Sequence, residues 1–493
     1  MTEPQDPQAE ESLDPGDWDA FARLAHRMLD DSLAYLKTVR ERPAWQRIPE
    51  TVQARLAEPL PRDGAGEEAA YADYAELVAP YPLGNIHPRF WGWVIGTGTP
   101  LGVMAEMLAA TMNNNAAGHR QSATFVEMQV LDWLKEIIGY PREAGGVLLS
   151  GGSIANRVGL AVARNAKAPF DVRREGLSGQ PRLMFYTSSE SHNSVQRAVE
   201  LLGMGAESLG VIPVLADFTI DVAALEARIA ADRHSGSIPC CIVANAGTVN
   251  TGAVDPLAEL ADVCVRENLW LHVDGAFGAL AVLDPETRPQ LGGIERADSI
   301  AFDLHKWMYL PFEVACTLVR SHEAHTATFA AHADYLARMD AGIASGPVIW
   351  ADYGPQLSRT FRALKVWMNL KAYGVDRFAR LIAQNIRQAR YLASLVEVAP
   401  ELELLAPVSL NIVNFRYAAP GLDGATLDDL NTRILAELQE RGIAVPSSTI
   451  LNGRFALRVA ITNHRSRRED FDALVVAVRK LGRSLSTERS ESP

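Results

Sequence analysis

Cysteine is scarce. Only four occur in 493 residues, Cys240, Cys241, Cys264 and Cys316, and two of them are adjacent inside the apolar run "IPCCIVANAG". That pattern makes neither a disulfide framework nor a metal-ligand spacing, so a reducing cytoplasm fits and no metal is expected. Long apolar runs are missing too: no stretch of about 18 residues could serve as a membrane span. Positive charge is in deficit, and the net charge of −13 argues against nucleic acid or an anionic membrane as partner. No G-x-x-x-x-G-K occurs, so there is no P-loop, and in "GTGTPLG" (96–102) Leu101 stands where a dinucleotide fingerprint needs its third glycine. The three histidines of "SHEAHTATFAAH" lack the H-E-x-x-H spacing and read as a solvated helix face. The opening "MTEPQDPQAEESLDPGD" lacks the apolar core of a signal peptide, so residues 1–16 read as a disordered tail.

What is present is ordinary in bulk, with 48% apolar and 22% charged residues, and specific in arrangement. Amphipathic helices fill residues 18–60, within a predicted N-terminal helical segment 17–85. "TFVEMQVLDWLKEIIGYP" reads as a helix with a capping box at Thr124 and Glu127 and a stop at Gly139 and Pro141. Short apolar runs then alternate with helices: "GVLLS", "RLMFYT", "CCIVANAG", "LWLHVDGAF", "SIAFD" and "VACTLVR". This alternation predicts an α/β domain over 86–390 with a mostly parallel central sheet. "LNIVNFRY" and "FALRVAIT" alternate as half-exposed strands, each followed by a helix. They predict a small α+β C-terminal domain over 391–484, with 485–493 as a second disordered tail.

In an open α/β sheet, ligands sit beyond the carboxyl ends of the strands, and the unusual residues collect there. Ser150-Gly151-Gly152-Ser153 opens a helix, which suits an anion but is also a common tight connection. His192 follows "RLMFYT" and could simply cap the next helix. Thr248 follows "IVANAG". Asp274 ends "LWLHV", where a lone Asp is often a cap. Lys306 sits between a histidine and a tryptophan just past a buried strand, where a cation is costly to desolvate. A buried lysine amine has a lowered pKa and attacks carbonyls. One molecule uses the whole set. Pyridoxal 5′-phosphate offers a phosphate to a helix N-terminus, a ring nitrogen to a carboxylate, a flat face to an imidazole and an aldehyde to a lysine.

The chain from about residue 80 to 482 resembles the group II pyridoxal-phosphate-dependent amino-acid decarboxylases of the aromatic-L-amino-acid decarboxylase type. The resemblance rests on "NIHPRFWGWVIGTGTP", "LSGGSIANRVGLAVAR", "SHNSVQRAVELLGMG", "AGTVNTGAVDPL", "LWLHVDGAFGA", "ADSIAFDLHKWMYLPFE", "LSRTFRALKVWMNLKAYG" and "ALRVAITNHRSRREDFDAL", which occur in family order. It implies fold type I (aspartate aminotransferase-like) and a cytoplasmic homodimer with a shared active site, clasped by its N-terminal segment. It implies Lys306 as the Schiff-base lysine, Asp274 on the ring nitrogen, and His192 and Ala276 on the two ring faces. Gly152, Ser153, Ser299 and His305 would hold the phosphate, with Ser358 reaching it from the other subunit and Thr248 near the ring. Tyr335 would be the catalytic tyrosine of a mobile loop, although from its own surroundings it reads as an amphipathic surface residue. Phe90, Trp91 and Trp93 would line the side-chain pocket or belong to the core. His119 and Arg120 would bind a second substrate carboxylate or join two subunits.

The implied activity is decarboxylation of an L-amino acid, aromatic favoured, to the amine and CO₂. The alternatives are an acidic substrate, an aldehyde-forming decarboxylation-deamination on the same scaffold, and a non-catalytic relative. Three departures from the family pattern stand out. Val249 and Phe277 each lack a usual hydroxyl, and Asp303 often is Asn. Asp303 adds negative charge near the phosphate end and calls for a local partner.

Overall fold

The computed structural model describes residues 12–331 and 339–490. One compact unit comprises the chain through Pro43 together with Arg47–Leu83. Its helices are Trp18–Lys37, Glu50–Arg55 and Glu67–Asp73, the last continuing into the wider turn Tyr74–Val78. Asp17 starts the first helix by accepting the N–H groups of Asp19 and Ala20 at 2.9 and 3.0 Å. Arg55 bonds Asp73 at 3.0 Å and Glu76 at 2.5 Å, and Tyr71 donates to Asp31 at 2.6 Å.

The second unit, Ala44–Gln46 with the chain from Gly84 onward, carries the strands. In chain order these are β1 (Phe90–Trp91), β2 (Gly145–Leu149), β3 (Leu183–Ser188), β4 (Leu209–Ile212), β5 (Ile238–Asn245), β6 (Trp270–Asp274), β7 (Ser299–Asp303), β8 (Ala315–Val319), β9 (Leu402–Leu404), β10 (Ile412–Tyr417), β11 (Val445–Leu451) and β12 (Arg454–Ala460). Seven form one sheet in the order β2-β8-β7-β6-β5-β3-β4. β8 is antiparallel to both neighbours, and the other pairs are parallel. Residues of β2, β3, β6, β7 and β8 are buried throughout, which is why they read as unbroken apolar runs.

The C-terminal sheet runs β1-β11-β12-β10-β9. Its strands β10 and β12 are not half-exposed as their alternation suggests. β10 is buried from end to end: its Asn414 donates to the Asn250 carbonyl of the large domain at 3.1 Å, as does Arg458 of β12, and its Arg416 pairs with Glu403 of β9 at 2.9 Å. The polar face meets polypeptide instead of water. The last helix, Arg468–Ser490, runs past the predicted end of the domain at 484, because Leu481 and Leu485 are both buried one turn apart.

Two local readings also change. The capping box at Thr124 and Glu127 does not form. The helix spans Ser122–Ile138, Thr124 donates to the Gly118 carbonyl at 2.7 Å, and Glu127 is buried against Arg359. The histidine face near 322 is only partly solvated: His322 is exposed, but His325 is fully buried and bonds the Tyr353 carbonyl at 2.7 Å, and His332 lies outside the described residues.

Candidate active site

The carboxyl ends of β2, β3, β6 and β7 converge on a cavity of about 360 Å³. It is lined by Ser150, Gly151, Gly152, Ser153, His192, Ala276, His305 and Lys306, together with Asn156, Ser194 and Asp303. The helix Gly152–Lys167 points its start into this space, and its first N–H groups have no carbonyl a turn earlier to bind. Gly152 is needed there, since a Cβ would come within 2.8 Å of Asp303 Oδ2. Gly96 explains the glycine run that is not a dinucleotide motif. A Cβ at 96 would collide with the carbonyl oxygens of His305 and Lys306, so the run backs the lysine turn.

Asp274 is buried at the end of β6. Its Oδ1 accepts the Ala276 N–H at 3.1 Å and its Oδ2 accepts Asn156 Nδ2 at 2.8 Å. Burial pushes its pKa above the usual carboxylate value, while the charge on Lys306 and these hydrogen bonds pull the other way. His192 is open to the cavity, and its Nδ1 accepts the Ser194 N–H at 3.1 Å, which leaves the proton of the neutral ring on Nε2. Desolvation draws the His192 pKa below the ordinary imidazole value, against the pull of Asp274. His305 is fixed in the same tautomer by the Val314 N–H at 3.1 Å and lies against the Phe312 ring at 4.4 Å. Lys306 Nζ is 2.8 Å from Asp303 Oδ2, so the lysine and the unusual aspartate are partners.

Ser299 is a correction. It stands at the start of β7, at the opposite end from Lys306, and its hydroxyl is already engaged. It accepts Trp270 Nε1 at 2.8 Å and bonds His272 Nδ1 at 2.8 Å. His272 Nε2 meets Asn156 Oδ1 at 3.0 Å, so a hydrogen-bond chain runs from Trp270 through Ser299, His272 and Asn156 to Asp274. Thr248 does not line the cavity: it is fully buried, bonds Thr251 at 2.9 Å and accepts the Ala253 N–H, closing its own turn. Ser358 is exposed beside the buried Arg359. Tyr335 lies outside the described residues.

The aromatic run divides. Trp91 is core: it stacks on Phe471 at 4.9 Å and donates to Ser466 at 3.0 Å. Phe90 packs with Ala44 and Val445. Trp93 is 52% exposed, in a left-handed conformation held where Ser447 Oγ accepts its N–H and Arg458 donates to its carbonyl. His119 is half-buried, and Arg120 is exposed, with Nη1 3.4 Å from Ser345 Oγ. Neither lines this cavity, and nor do Phe90, Trp91 or Trp93. Sequence reasoning missed Asn156 and His272. Both were findable: Asn156 lies one turn into the helix after Gly152, and His272 shares a strand face with Asp274.

These residues fit pyridoxal phosphate. An open helix start held clear of side chains suits its phosphate, a buried carboxylate lacking full counter-charge suits its ring nitrogen, and an amine stands in the same cavity. Among the described residues no group of three or more His, Cys, Asp or Glu is arranged to hold a metal ion, and no helix is long and apolar enough to cross a membrane.

Comparison with known proteins agrees. The model of the pyridoxal-dependent decarboxylase conserved domain matches residues 49–418. The chain is 32% identical to an aromatic-L-amino-acid decarboxylase of Bacillus atrophaeus over 94% of its length and 96% of the relative's. It is 33% identical to an L-2,4-diaminobutyrate decarboxylase of Rhizobium meliloti (strain 1021), over 88% and 86%. Its fold superposes on Oryza sativa TDC with PLP and tryptamine at a TM-score of 0.89 and 27% identity, covering 96% of this chain and all of that one.

Proposed function

Because the chain belongs to the pyridoxal-dependent decarboxylase family, we propose that it removes the α-carboxylate of an L-amino acid, aromatic side chains favoured, to give the amine and CO₂. The carrying observation is the single cavity that joins Lys306, His192 and the open start of the Gly152 helix in front of the buried Asp274. Bound pyridoxal phosphate supplies an electron-accepting ring. The protein supplies the rest. Lys306 anchors the aldehyde, and Gly152, Ser153 and His305 receive the phosphate. Asp274 keeps a proton on the ring nitrogen. His192 and Ala276 confine the ring, and the protonation of the substrate carbon is assigned to Tyr335 on the family resemblance alone.

The aromatic preference draws support from the Bacillus atrophaeus relative. Arg120, turned to Ser345, gives no support to an acidic substrate in this cavity. A homodimer sharing its sites is part of the proposal. Ser358 is exposed, and Met107, Leu108, Met112 and Phe125 present apolar surface on the neighbouring stretch of chain. A cytoplasmic setting fits four buried free thiols. The test is CO₂ release from the twenty amino acids plus DOPA, 5-hydroxytryptophan, ornithine and diaminobutyrate, with amine, aldehyde and peroxide measured together. Aromatic substrates giving amine without peroxide are expected; release only from glutamate or aspartate, or stoichiometric aldehyde, would overturn the reading.

A further inference from the structure

Asp303 has no place in the cofactor scheme above, yet it sits at its centre. It is 1% exposed at the end of β7. Its Oδ2 holds Lys306 Nζ at 2.8 Å. The same carboxylate faces the start of the Gly152 helix closely enough that a Cβ on Gly152 would meet Oδ2 at 2.8 Å and Oδ1 at 3.4 Å. Oδ1 has no hydrogen-bond partner among the described residues, and His305 Nε2 stops 3.8 Å short of it. The carboxylate is thus buried, half-satisfied, and turned towards the helix start that suits a phosphate. A buried, partly paired charge of this kind is costly, and it persists where something holds it.

We propose that Asp303 is the resident anion of the phosphate cradle. Before loading, it occupies the negative end of the site and holds the Lys306 amine. Loading is then an exchange. Lys306 would hold the cofactor aldehyde through its amine, with one water released, and would no longer offer Asp303 the three N–H donors of a free ammonium. The phosphate brings further negative charge beside the carboxylate. That crowding of like charge opposes binding, and Asp303 sets the affinity below what the remaining cradle would give. The proposal rests on the reading of Lys306 as the amine that binds the cofactor.

The test is equilibrium binding of pyridoxal 5′-phosphate to cofactor-stripped wild type and Asp303→Asn, which keeps shape and removes charge. Removing one nearby like charge in a partly screened site is expected to tighten binding by about tenfold or more. A lesion in packing can only weaken binding, so a gain separates charge from damage. Asp303→Ser serves the same purpose if the amide variant does not fold. Unchanged or weaker binding in the folded variant, with wild type still forming a borohydride-stable adduct at Lys306, overturns this inference alone. Wild type forming no adduct at Lys306 overturns the functional reading and this inference with it.

Discussion

Asn156 donates its side-chain amide to Asp274 at 2.8 Å while its carbonyl oxygen is 3.0 Å from His272 Nε2. The helix that begins the phosphate cradle thereby also orients the carboxylate beneath the ring site. Asn156→Leu removes a hydrogen bond to a charged group, of about 1.5–3 kcal/mol. The expected outcome is a fall in kcat of about 10–100-fold with little change in substrate KM, read from steady-state kinetics. An unaltered kcat would mean that Asp274 needs no such support.

Acid should weaken the fold through its buried histidines. Burial lowers the His272 pKa to about 3 and the His325 pKa to about 4, against an ordinary 6.5. The unfolded chain therefore binds protons that the folded chain refuses. This stability is full above about pH 6.5 and drains away as pH falls towards 4. By pH 5 each histidine costs on the order of 1–2 kcal/mol. Thermal melts from pH 7.5 to 5 should show a shallower decline for His325→Gln than for wild type; parallel declines would contradict the assignment.

Much of this was legible in the sequence and some was not, for physical reasons. Strand ends carrying Asp274, His192 and Lys306 showed themselves because polar residues interrupt apolar runs there. Ser299 misled because motif likeness does not say which end of a strand a residue occupies, and five residues of strand span about 13 Å. Asp303 was visible as excess charge, but its partner depends on one turn of chain bringing Lys306 back to it. Trp91 and Trp93 are two residues apart, and only packing distinguishes core from rim.

That distinction is measurable. Trp91→Ala empties a core site and is expected to cost about 3–5 kcal/mol in chemical unfolding. Trp93→Ala, at an exposed position, is expected to leave stability within about 1 kcal/mol. Equal stability losses would return Trp93 to the core.

Arg359 and Glu127 form a buried pair, 2.5 Å apart and each 1% exposed, and the guanidinium also bonds the carbonyls of Ala116 and Leu148. Arg359→Met strands the carboxylate and is expected to destabilise by about 3–5 kcal/mol. Glu127→Leu with Arg359→Met together should recover part of that loss. A double variant no better than Arg359→Met would show that the carbonyl bonds, not the ion pair, dominate.

The central claim is the chemistry of one amine. Protein saturated with pyridoxal 5′-phosphate, reduced with borohydride and digested, should yield one modified peptide by mass spectrometry, carrying the reduced cofactor on Lys306 of "SIAFDLHKWMYLP". Modification instead at Lys365, which unlike the partly exposed Lys306 is buried and is paired with Glu106 at 2.7 Å, or at no lysine at all, would contradict the account.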